Sequence, residues 1–187
     1  QTFWSPEGVC GKLGHGFSKR ELEPLAERHD KLWSIAFSQT NKVSSKTKKH
    51  LQKRCALIRE KMINKVNDLQ WQTCHFLVRN FRIIFLPEFN TSDMVAGSPL
   101  GSEITRKILQ LAHYRFKQRL IYLSQVWQRT LIITKEPFTT KTCGQCGHLK
   151  EMGSNETYRC DHCGMVANRD YNAARNVGLV MVSYLSS

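Results

Sequence analysis

Acidic residues are scarce in this sequence. It carries 15 Asp+Glu against 28 Lys+Arg, a formal charge of +13 over 187 residues. An excess of that size points to a polyanionic partner, DNA or RNA. No apolar run reaches the roughly 18 residues of a membrane span, so no membrane partner is expected. There are no internal repeats and no low-complexity tracts, which excludes a solenoid or an extended disordered chain. A signal peptide is also missing, and the first residue is Gln1 rather than Met. The expectation is therefore that further domains of the same protein lie upstream. What remains is globular: 41% hydrophobic and 23% charged residues, enough for one domain with a core or one domain with a small insert.

Cysteine is plentiful, but not in the manner of a disulfide framework. Of seven cysteines, four form two C-x-x-C pairs, Cys143/Cys146 and Cys160/Cys163, separated by thirteen residues. An odd total with paired knuckles argues for a reducing compartment and a metal. Two knuckles offer four thiolates, the tetrahedral shell zinc accepts at about 2.3 Å per bond. A closed shell of four sulfurs leaves no position for water, so such a zinc is structural. His148 and His162 lie beside a shell that is already full. Cys10, Cys55 and Cys74 fall on apolar stretches and are expected in the core.

Along the chain, "TFW" and "VCGKLG" flank the turn Ser5–Gly8 and predict a hairpin. A helix is expected over Ser18–Phe37, with Pro24 delaying its start. A polar linker leads into a long helix ending near Val78. Its apolar stripe is Leu51, Cys55, Ile58, Met62, Val66 and Leu69, and its lysine face is Lys46, Lys49, Lys53, Lys61 and Lys65. "RIIFL" and "TLIIT", Arg82–Leu86 and Thr130–Thr134, read as strands covered on both faces. Between them one helix from Ser102, capped by that serine, would bury Leu109, Ala112, Phe116, Leu120 and Leu123. The metal segment covers Lys141–Gly164, and a last helix runs from about Asp170 to Tyr184. The alternation of strands and helices predicts an α/β domain with helices against a mixed sheet.

Two carboxylates stand at positions where chemistry collects. Glu88 follows "RIIFL" directly after Pro87, at the carboxyl mouth of a strand. Asp170 opens the last helix, on one line with Ala174, Val177, Met181 and Leu185, and so would face the sheet. Ala173 and Ala174 would let that helix come close. Each has a plainer reading. Glu88 can be a surface loop residue, and Asp170 a helix cap. Taken together in a basic chain, they suit a phosphodiester site in which Mg2+ or Mn2+ ions about 4 Å apart activate water and steady the leaving oxygen. Two carboxylates are fewer than such a site needs.

The segments "LPEFNTSDMV", "AHYRFKQRL", "TTKTCGQCGH" and "YRCDHCGMVANRDYNAARNV" resemble the RuvC nuclease half of the TnpB family of transposon-encoded RNA-guided nucleases, its Fanzor branch in particular. The resemblance is dense from about Val66 to Leu179. It implies an RNase H-like (RuvC) mixed sheet with flanking helices and an inserted zinc ribbon. The divisions expected are a nuclease core over 1–140, the ribbon over 141–164, and the last helix of the core over 165–187. It implies an Asp-Glu-Asp triad in which Glu88 and Asp170 are the second and third members. The first belongs to a D-P-G turn expected upstream of Gln1, since Asp30, Asp68, Asp93 and Asp161 do not follow apolar strands. Some Fanzor members use a glutamate after the next strand, which makes Glu136 the second-ranked alternative to Glu88.

The function implied is a two-metal DNA endonuclease domain with guide RNA and target DNA as partners. This fragment alone would be weak or inactive. The alternative is a zinc-ribbon DNA-binding remnant without catalysis. Candidate nucleic-acid contacts are Arg169, Lys141, Arg115 and Arg119, with Lys150 and Arg159 on or near the ribbon; each is equally read as solvated. "KTKKHLQKR", Lys46–Arg54, is a basic patch of the nuclear-localisation or RNA-contacting kind, or a solvated helix face. The location expected is the nucleus of a eukaryote, otherwise the cytoplasm.

Overall fold

Hydrophobic spacing accounts for most of the helices. The computed structural model describes residues 1–38, 43–89, 101–134, 140–151, 153 and 155–185. Strands β1 (Thr2–Trp4) and β2 (Cys10–Lys12) form an antiparallel hairpin pairing Thr2 with Lys12 and Trp4 with Cys10. A π-helical turn, Ser18–Leu22, leads into α1 (Glu23–Phe37), with Pro24 in its first turn, where a missing N–H costs nothing. Helix α2 (Ser45–Asn80) is the longest element. Then come β3 (Ile83–Pro87), α3 (Ser102–Gln110), α4 (His113–Val126), β4 (Thr130–Thr134), β5 (Thr157–Arg159), β6 (Val166–Asn168) and α5 (Arg169–Leu185).

The chain divides into two compact units. One comprises Gln1–His15, Leu77–Phe89 and Ile121–Ser187; the other comprises Gly16–Phe76 and Asn90–Leu120. In the second unit the expected α2 stripe is buried at Leu51, Cys55, Met62 and Val66. Leu22, Met62 and Val66 form a cluster against which Phe17, Leu25, Ala26, Ile58 and Leu111 pack.

The helix expected from Ser102 onward is two helices. Ala112 takes a left-handed φ of +46°, and Gln70 Nε2 donates to the carbonyls of Leu111 (2.7 Å) and Ala112 (3.2 Å). The break rephases the stripe. Phe116, Leu120 and Leu123 are buried as expected, whereas Leu109 is 58% exposed. Gly101, not Ser102, occupies the N-cap of α3.

In the first unit, β3 and β4 are parallel in the register Ile83–Thr130 through Pro87–Thr134, joined by a crossover as parallel pairing requires. Among the described residues these strands are not covered on both faces: Ile84 is buried, but Ile83 and Ile133 are exposed. The three strand pairs are separate two-stranded sheets. Helix α5 packs on β1 and β3 and touches β5 and β6. Its close approach to β1 occurs at Gly178 rather than at Ala173 and Ala174, since a Cβ on Gly178 would sit 2.8 Å from Trp4 Cζ3. Cys55 and Cys74 are buried, but Cys10, the first residue of β2, is exposed rather than in the core.

Candidate metal centre

Two knuckles with identical backbone bonding converge. The amide of Cys143 donates to His148 O (2.8 Å), and that of Gly147 to Cys143 O (2.9 Å). The amide of Cys160 donates to Met165 O (2.9 Å), and that of Gly164 to Cys160 O (3.1 Å). Both turns close on a glycine with positive φ, +75° at Gly147 and +73° at Gly164, a conformation that side chains disfavour.

The four sulfurs lie within 4.8 Å of one another. Cys143 and Cys163 Sγ are 3.7 Å apart, as are Cys146 and Cys160 Sγ. A tetrahedron with metal–sulfur bonds of about 2.3 Å has edges of about 3.8 Å, so the spacing fits a bound ion. It does not fit a disulfide, whose sulfurs stand about 2.05 Å apart. Backbone N–H groups of Cys163 and His162 pull the Cys160 thiol down to about 6. The His148 N–H acts to lower the Cys146 thiol, yet burial and the three neighbouring thiols push it up to about 12. Four sulfurs this close resist ionising together, and a cation among them removes the conflict. Tyr158 and Met165 pack against Cys143 and Cys160. His148 and His162 stack on each other at 5.5 Å, exposed and outside the ligand group.

The ribbon hairpin, β5 with β6, runs straight into α5, and Asn168 makes the junction. Its Oδ1 accepts the amides of Asp170 (3.0 Å) and Tyr171 (3.4 Å), which makes Asn168 the helix cap. The Asp170 carboxylate is thereby released from that role. It stands half exposed, with Lys12 Nζ from β2 3.2 Å from Oδ2, so it meets the β1–β2 hairpin. The buried face of α5 carries Val177, on the line expected, together with Asn172 and Asn176. Glu88 follows β3 and is exposed; its amide donates to Thr134 O (2.8 Å) and continues the parallel ladder. Glu136 lies outside the described residues. Among the described residues, the four cysteines are the one group of three or more side chains that can hold a metal.

Most of the candidate nucleic-acid contacts have protein partners. Lys141 pairs with Glu151 (2.8 Å) and Lys150 with Asp161 (2.6 Å). Arg169 donates to Gly153 O (3.2 Å). Arg119 donates to Gln70 Oε1 (2.6 Å) and Asn67 Oδ1 (2.7 Å) and lies 5.1 Å over the Trp71 ring. Arg115 and Arg159 are exposed. Sequence reasoning missed Lys12 and Asn168. The second had a signal, an Asn directly before a helical run; the first had none, because its partner is 158 residues away.

Residues 113–177 match the family model described as Cas12f1-like, TNB domain. Over 150 residues the chain is 35% identical to a TnpB-like protein of Acanthamoeba polyphaga mimivirus, a stretch covering 79% of this chain and 29% of that protein. The chain belongs to the TnpB family. This TnpB-family chain spans less than a third of that viral relative's length. It is also 29% identical, over 77 residues, to the CRISPR-associated endodeoxyribonuclease Cas12f1 of Sulfoacidibacillus thermotolerans, covering 40% of this chain and 18% of that one. Its fold matches the cryo-EM structure of a Cas12f1–sgRNA–target DNA complex, with a TM-score of 0.56, 16% identity, 85% of this chain and 42% of that one. The fold thus agrees with the expected α/β class and four-cysteine insert, whereas the described strands form three two-stranded sheets in place of the one mixed sheet expected.

Proposed function

We propose that this TnpB-family chain is the RuvC-like, divalent-metal-dependent DNA endonuclease portion of an RNA-guided nuclease of the Fanzor-like branch, with zinc in its four-cysteine ribbon. The observation that carries this reading is the release of Asp170 from capping. A carboxylate at a helix start would ordinarily satisfy free N–H groups, but here Asn168 does so. Asp170 opens the helix that packs on β3, and Glu88 follows β3.

The donor set suits Mg2+ or Mn2+, since both groups are exposed carboxylates, and Asp170 already has a cation, the Lys12 ammonium, at 3.2 Å. When bound, such ions activate water and stabilise the leaving oxygen. In this reading Asp170 and Glu88, or Glu136 in place of Glu88, supply two of the ligands, and a further carboxylate comes from upstream sequence. Zinc holds the knuckles closed and takes no part in the cleavage. Guide RNA and target DNA are the proposed partners, in keeping with the +13 charge and with the sgRNA and target DNA of the Cas12f1 complex.

The test is Mn2+ binding by the zinc-loaded chain, followed by electron paramagnetic resonance. Asp170→Asn and Glu88→Gln should each weaken binding about tenfold or more, and in the longer protein should cut guided DNA cleavage about 100-fold or more. Loss with Asp170→Asn alone assigns the second carboxylate to Glu136. Unchanged Mn2+ affinity and cleavage in both variants reject the nuclease reading and leave a DNA-binding ribbon.

A further inference from the structure

The ribbon is gripped from outside at one of its ligands. Cys143 provides one corner of the sulfur cluster, and the peptides on both sides of it are bound by α5. The carbonyl of Thr142 accepts Nδ2 of Asn172 at 2.7 Å and Nδ2 of Asn176 at 2.8 Å. The amide of Gly144 donates to Asn172 Oδ1 at 2.9 Å, and the carbonyl of Gly144 accepts Arg175 Nη1. Positions 172, 175 and 176 lie on one helix face. Asn172 and Asn176 are 4% and 5% exposed, so their amides depend on these partners. The fit admits only glycine at the centre. A Cβ on Gly144 would lie 2.6 Å from Arg175 Nη1, 2.8 Å from Asn172 Oδ1 and 2.9 Å from Asn176 Oδ1.

We infer that α5 and the Cys143 knuckle form one metal-dependent unit, in which Asn172, Arg175 and Asn176 are positioning residues for the metal ligand Cys143. The direction of the Cys143 side chain is set by its flanking peptides, and the helix holds both. Linkage makes the effect mutual. Whatever α5 docking contributes to metal affinity, the metal contributes equally to docking α5. The inference rests on the four cysteines being a metal centre, and is independent of any nuclease chemistry at Asp170.

The experiment uses the full chain. Co2+ substitution first reads the centre: absence of a tetrathiolate spectrum at one ion per chain sinks the metal centre, and this inference with it. With the centre present, hydrogen exchange is followed before and after zinc removal. Peptides over 170–180 should lose protection together with the ribbon, while α1 and α2 keep theirs. Chelator competition should show Asn172→Ala, and the near-isosteric Asn176→Asp, binding zinc about 10–100-fold more weakly. Leu179→Ala, on the exposed side of the same helix, should bind as the unaltered chain does. Stoichiometric metal with unaltered affinity in both Asn variants, or with α5 exchange indifferent to zinc, overturns the coupling.

Discussion

Asn168 Oδ1 accepts the backbone N–H of Asp170 at 3.0 Å, so the residue before the helix caps it and the acid within its first turn does not. A stability difference follows. Asn168→Ala should cost about 1 kcal/mol in urea unfolding of the zinc-loaded chain. Asp170→Asn should cost no more than about 0.5 kcal/mol, because its pair with Lys12 is half exposed. The opposite ranking would return the capping role to Asp170.

Gly178 is set by close approach rather than by helix preference. In a solvated helix, Gly→Ala stabilises by about 1 kcal/mol. Here the new Cβ would stand 2.8 Å and 3.0 Å from two Trp4 ring atoms. Gly178→Ala should therefore destabilise, by about 1–3 kcal/mol. In a Trp4→Ala background the same change should turn stabilising. A double-mutant cycle reads this directly, and additive effects would mean that the indole yields without cost.

Thiol reactivity should distinguish three classes of cysteine. Cys10 is exposed, Cys55 and Cys74 are buried, and the remaining four converge on one centre. Burial pushes the Cys74 thiol up to about 12, which makes it inert. With zinc bound, an aromatic disulfide reagent should titrate one thiol in the native chain; chelation should add four more. Five reactive thiols before chelation would show that no metal is held.

The pair Asp30–Arg106 makes a pH prediction for the second unit. Arg106 donates to both carboxylate oxygens, at 2.5 and 3.0 Å, and His29 Nδ1 lies 3.1 Å away. Arg106 foremost, with His29 helping, holds the Asp30 carboxyl below its ordinary range. A carboxyl depressed in the folded state contributes stability above its unfolded pKa and loses it as pH falls through the folded value. The stability gap between the unaltered chain and Asp30→Asn should stay level from neutrality to about pH 4 and close below it. The gap should be small and should shrink with salt, because Asp30 is 52% exposed. A gap that widens on acidification would contradict the pairing.

Where a feature depends on neighbours along the chain, its residues announced it. The spacing of Cys143, Cys146, Cys160 and Cys163 defined a four-sulfur centre, and the fold assembles one. The stripe through Leu51, Cys55, Met62 and Val66 defined α2 and its buried face. The break at Ala112 was invisible, since Gln70, some forty residues earlier, takes the carbonyls that a continuous helix would use. The sequence left Arg119 open between a nucleic-acid contact and a solvated side chain, and gave no sign of its bonds to Asn67 and Gln70, which lie on another helix.

Local chemistry therefore settled the family resemblance, the metal knuckles and the helical periods, for these depend on spacings of two to five residues. Long-range contact decided the rest: which residue caps α5, which cation meets Asp170, and why Gly144 and Gly178 must lack a side chain. Hydrogen bonds and steric fit act at about 3 Å in space, with no regard for separation along the chain. Lys12 and Asp170 meet only because a hairpin and a helix fold against each other.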